Sequence, residues 1–155
     1  MTGVHFGLIK PWCVETHPTF DMEDWTVRFG YTLLYVEDVV KTVEFYESAF
    51  GLKRRFVHEM GYAEMETGET VLGFVAQSVV ESNGVEYAKA DPAKPAPAVE
   101  IAFVTEDVDG AYEKALTEGA VAVAPPKEKP WGQTVSYVRD LNGFLVELCT
   151  AVQSE

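Results

Sequence analysis

From Tyr31 the chain changes period. In YTLLYVEDVVKTVEFYESAFGLK a short apolar run stops at Glu37 and Asp38, and beyond it Val39, Val43, Tyr46 and Phe50 recur on one helical face. Asp38 stands where a helix N-cap belongs, because its carboxylate can take a backbone N–H of the first turn, and Gly51 stands where the helix should end. Three strands are expected next, within KRRFVHEM, GYAEMETG and TVLGFVA, separated by turns around Gly61 and Gly68. The pattern predicts a βαβββ unit.

The same order begins again at Val99 in VEIAFVTEDVDGAYEKALTEGA. Glu106, Asp107 and Val108 repeat Glu37, Asp38 and Val39, and the counterpart of Gly51 falls near Gly119. Strands are expected in VAVAPP, QTVSYVRD and FLVELCTA, with a DLNG turn from Asp140 to Gly143 between the last two. A four-stranded sheet with one helix cannot bury both faces alone, so two copies predict an α+β fold whose paired sheets enclose a concave cleft. The first module is placed at residues 29–77, a Pro- and Ala-rich linker at 78–97 and the second module at 98–152, all within one domain. Residues 1–28 match neither module. Their Trp12, Phe20 and Trp25 fit either an arm packed across a partner subunit or a simple extension, and both readings stay open.

Charge narrows the partners. A formal net charge of -13 leaves no basic stripe for nucleic acid, and favours a neutral or cationic small molecule or a metal ion. The two cysteines, Cys13 and Cys149, are far apart and outside any CxxC spacing, which suggests neither a disulfide framework nor a zinc-thiolate site. No stretch has the length of a membrane span or the layout of a secretory leader, so a cytoplasmic location without membrane association is expected.

Strand alternation then picks out the acids. In VEIAF it sets Glu100 with Ala102, and in FLVELC it sets Glu147 with Leu145 and Cys149, so each carboxylate stands on an otherwise apolar face. Two carboxylates facing one partly dry cleft repel each other, which raises at least one pKa and prepares a general acid or base or a cation site. Pairing with Arg139, Lys53 or Arg54 is the plain alternative. Trp131 and Gln133, in PWGQT, are candidates to cover and hydrogen-bond a ligand. His58 is a candidate ligand or proton carrier, with a bystander on the strand as the alternative, and Phe103 and Tyr31 are candidate cleft walls. His5 and His17 have no partner at metal-ligand spacing, and no phosphate loop or nucleophile elbow is present.

The paired units, the signature LLYVEDVVKTVEFYESAFGL and the closing PWGQTVSYVRDLNGFLVEL resemble the vicinal oxygen chelate superfamily, the glyoxalase, bleomycin-resistance and extradiol dioxygenase group, over about residues 29–150. The resemblance implies a homodimer whose clefts draw modules from both subunits. In metal-dependent members each module gives one ligand from its first strand and one from its last. Here those positions are Tyr31 and Gly73, then Glu100 and Glu147. Two readings follow from the resemblance. One is a protein that binds a small neutral or cationic organic molecule. The other is a lyase or isomerase of the lactoylglutathione lyase type, with a divalent nickel, zinc, manganese or iron ion on Glu100 and Glu147 and a carboxylate moving the proton.

Overall fold

The computed structural model describes residues 27, 29–68 and 70–152. Trp12, Phe20, Trp25, His5, His17 and Cys13 lie outside the described residues.

The expected helix forms where the apolar spacing placed it. Strand β1 (Tyr31–Val36) runs into helix α1 (Val39–Phe50) through Asp38, whose Oδ1 accepts from the backbone N–H of Lys41 at 3.0 Å. Gly51 ends the helix at φ 71°, a left-handed conformation that a side chain would strain. The chain continues through β2 (Lys53–His58), β3 (Tyr62–Glu66) and β4 (Val71–Ala76). At the turn between β2 and β3 the positive φ angles fall on Glu59 and Met60 rather than on Gly61. The sheet order is β1-β4-β3-β2, with β1 parallel to β4 and the other pairs antiparallel.

The second module repeats this plan with β5 (Glu100–Val104), α3 (Val108–Thr117), β6 (Val121–Glu128), β7 (Thr134–Arg139) and β8 (Leu145–Cys149) in the order β5-β8-β7-β6. Asp107 caps α3 as Asp38 caps α1, accepting from Gly110 N at 2.8 Å. Strand β6 continues through Pro125 and Pro126 because it is a sheet edge, where a missing N–H costs no ladder bond. A short helix, α2 (Gln77–Ser82), opens the connection between modules.

One apolar core joins the modules. Leu34, Val36, Phe74 and Met65 from the first sheet pack with Val43 and Tyr46 of α1, and this cluster continues into Tyr112, Val138, Val146 and Leu148. A buried polar tie crosses the seam. Tyr46 Oη donates to Asp140 Oδ2 at 2.9 Å, Asp140 Oδ1 accepts from the backbone of Asn142 and Phe144, and Asn142 Nδ2 donates to Thr42 Oγ1 at 3.0 Å. Burial lifts the Asp140 carboxyl above its ordinary pKa despite these bonds. The linker is held as a strap: the Arg139 guanidinium donates to the carbonyls of Asp91, Pro92, Lys94 and Gly143, and Tyr87 packs edge-on against Tyr35 at 5.0 Å. No described helix is long and apolar enough to cross a membrane.

Candidate functional site

Strand geometry brings the two predicted glutamates together. Glu147 lies directly opposite Ala102 on β5 and Tyr137 on β7, and Glu100 stands one alternation away on the same face. Glu100 and Glu147 come within hydrogen-bonding reach, and burial, ahead of repulsion from Glu147, raises the Glu100 pKa above the usual carboxylate range. Tyr137 Oη donates to Glu147 Oε2 at 2.7 Å, and that bond, with burial, pushes the phenol up to about 12. The phenol therefore stays protonated and holds one carboxylate oxygen, leaving the other free to meet a ligand. Arg54 binds Glu47 and Arg139 binds the strap, so neither neutralises the pair.

A strip of polar contacts leads from these acids to an aromatic rim. The buried Cys149 thiol touches both Glu147 and Gln133, and burial is the main reason it is pushed up to about 11, so it is a thiol rather than a thiolate at neutral pH. Gln133 Nε2 donates to the carbonyl of Thr150 at 2.9 Å, while its Oε1 accepts the Trp131 indole N–H at 3.0 Å. The Trp131 ring is thus pinned at its polar edge and 60 % exposed elsewhere. Gln133 spends its amide on holding Trp131 in place.

The other sequence candidates lie apart. Phe103 alternates to the opposite face of β5 and packs on Phe50 and Tyr46 at 5.2 and 6.4 Å, lining a cavity of about 320 Å3 between the modules with Thr32, Leu52 and Val71. His58 sits at the end of β2 with 71 % of its side chain exposed, and its nearest ionic neighbour is Glu59 at 3.9 Å. Tyr31, 56 % exposed, stands on the first module's face near Tyr62. The charged and polar groups acting on Glu100, Tyr137 and Cys149 all come from the second module, and those acting on Tyr62 from the first.

The first module carries residues that sequence reasoning passed over. Glu64 is 7 % exposed, lies directly opposite Gly73, accepts from Tyr62 Oη at 2.9 Å and pairs with Arg55 at 3.3 Å. Burial, ahead of that hydrogen bond, pushes the Tyr62 phenol up to about 12. The alternation of YAEME, which sets Tyr62, Glu64 and Glu66 on one face, was the available signal for it. Tyr137 was legible in the same way, as the residue of QTVSYVRD facing away from the core.

The metal set implied by the fold does not close. Gly73 has no donor, and among the described residues no three His, Cys, Asp or Glu side chains converge on one point. Two carboxylates fall short of the three protein ligands of a catalytic zinc centre, and they do not fit a tight transition-metal site.

Two βαβββ modules, one bearing a carboxylate pair on its open face, define a protein of glyoxalase-like architecture. The profile of the Glyoxalase/Bleomycin resistance protein/Dioxygenase superfamily matches residues 28–148, and the chain belongs to that superfamily. It is 29 % identical over 117 residues to the uncharacterized protein YraH of Bacillus subtilis, covering 74 % of this chain and 91 % of that one. To the uncharacterized protein YetH of the same organism it is 30 % identical over 125 residues, covering 77 % and 97 %. Among solved structures it resembles a glyoxalase-related enzyme from Fulvimarina pelagi, with a TM-score of 0.69, 20 % identity and coverage of 80 % and 88 %.

Proposed function

We propose that this protein binds a small organic cation, with the cationic group on Glu147 and Glu100 and an aromatic or apolar part on Trp131. The carrying observation is the carboxylate pair itself: two acids in contact, no arginine or lysine bound to them among the described ion pairs, and one proton held more tightly than an isolated glutamate would hold it. A cation relieves that repulsion, and an exposed indole whose edge is pinned offers its face at no further ordering cost. Each such stacking contact contributes about 0.5–2 kcal/mol.

Within this reading the cleft is completed by a second copy. Edge strands β1 and β5 have no strand partner on their outer sides, and Tyr31, Leu33 and Val104 stand 56 %, 42 % and 66 % exposed along them. Apolar edges of this kind favour burial in a twofold interface. The first module of one subunit would then face the second module of the other.

Glu147→Gln removes the charge while keeping shape. It is expected to abolish binding of a planar aromatic monocation such as N-methylacridinium, followed by equilibrium dialysis, while leaving the thermal transition in place. Unchanged affinity in the folded variant would sink the assignment.

A further inference from the structure

In the second module, Tyr137 on β7 faces Glu147 on β8 and its hydroxyl holds the carboxylate at 2.7 Å. The position on β4 that matches Glu147 is Gly73, and what stands over it is informative. A Cβ built there would meet Leu33 Cδ2 at 2.7 Å and the Tyr62 hydroxyl at 3.4 Å, so neighbouring side chains occupy the space that Gly73 vacates. That hydroxyl donates to Glu64 Oε1 at 2.9 Å, and Glu64 is the residue paired across from Gly73 on β3. A tyrosine-held carboxylate thus recurs at the middle of both sheets. In the first module it is supplied from the adjacent strand.

We propose that Glu64 is the first module's anchor for the ligand, a carboxylate delivered from β3 over Gly73, and that the ligand therefore carries two cationic groups, one for Glu64 and one for Glu147. This rests on the reading that a cation binds Glu147 and that the first module of a second copy faces it. Glu64 keeps net negative charge for the task. Arg55 is engaged by Glu66 through two bonds of 2.8 and 3.1 Å and gives Glu64 a single longer one at 3.3 Å, so one guanidinium serves two acids. A carboxylate only 7 % exposed on a strand face is costly when it serves packing alone, since an apolar residue fills such a place without desolvating a charge. Tyr31, near Tyr62 on the same face, supplies an aromatic wall beside it.

Two probes separate this anchor from the one in the second module: the aromatic dication methyl viologen and the monocation N-methylacridinium, each measured by equilibrium dialysis against the full chain. The wild type is expected to hold the dication about tenfold more tightly, the worth of one extra charge-assisted hydrogen bond. Glu64→Gln should bring the two affinities together, chiefly by weakening the dication, and Glu64→Asp should restore part of the preference. If Glu64→Gln fails to fold, Arg55→Gln provides the check, because freeing Glu64 from its guanidinium should increase the preference for the dication. An unchanged preference in folded Glu64→Gln, or no rise in Arg55→Gln, overturns this inference while leaving the role of Glu147 standing. Equal affinities that both survive Glu147→Gln overturn the underlying reading as well.

Discussion

At the scale of single residues, Glu100 decides the pH behaviour. Its pKa is raised in the folded chain by burial and by Glu147, so the folded state holds that proton more tightly than the unfolded chain does. Its contribution to stability is therefore largest below the ordinary carboxylate pKa and declines as pH rises from there through the raised value. Glu100→Gln removes that decline, and its melting temperature should exceed that of the wild type at neutral pH and converge with it in acid. The gain is small, because Glu100 is solvent-exposed and its field is screened. Cation binding has the opposite slope. It strengthens with pH as Glu100 ionises and levels off above its pKa, and a Glu100→Gln protein should show neither effect in paired melting and dialysis series.

At the scale of elements, glycines mark where backbone and strap meet. Gly143 and Gly132 both have positive φ, 92° and 86°, yet a Cβ on Gly132 would meet open space. On Gly143 it would come within 2.9 Å of the strap backbone at Asp91 and Pro92 and 2.6 Å from the Arg139 guanidinium. Gly132→Ala should cost about 1 kcal/mol from conformation alone, and Gly143→Ala about 3 kcal/mol or more, read from urea unfolding. Equal losses would mean that the strap is not seated on the DLNG turn. The caps at Asp38, Asp107 and Gly51 were legible because capping is local chemistry, in which a side chain reaches a backbone group three residues away. The strap was not legible, since Arg139 meets carbonyls more than forty positions earlier in the chain.

At the scale of the whole molecule, the open sheet faces call for a partner. If each site joins the first module of one subunit to the second module of the other, a Tyr31→Ala chain and a Glu147→Gln chain each lose binding. After subunit exchange, about a quarter of all sites should be intact, because each mixed dimer holds one undamaged pair of faces. N-methylacridinium bound per chain, with sedimentation to confirm exchange, measures this. No recovery in exchanged dimers would place both halves of the site in one chain. An excess of negative charge, 25 acids against 12 lysines and arginines, suits a site that draws in cations over a long range.

The sequence by itself determined the repeated βαβββ plan, the helix ends and the pairing of Glu100 with Glu147, because periodicity, capping and strand alternation all act within a few residues. Phe103 shows where that ends: alternation separates it from Glu100, but which of the two faces is core is settled by Phe50 and Tyr46 of another element. Tertiary structure alone decided that Gln133 serves Trp131, that His58 stands away from the acids, and that Glu64 faces Gly73. Each depends on register between strands or on contacts between distant segments, where one carboxylate can stand in for another across a sheet without leaving its mark at the position it replaces.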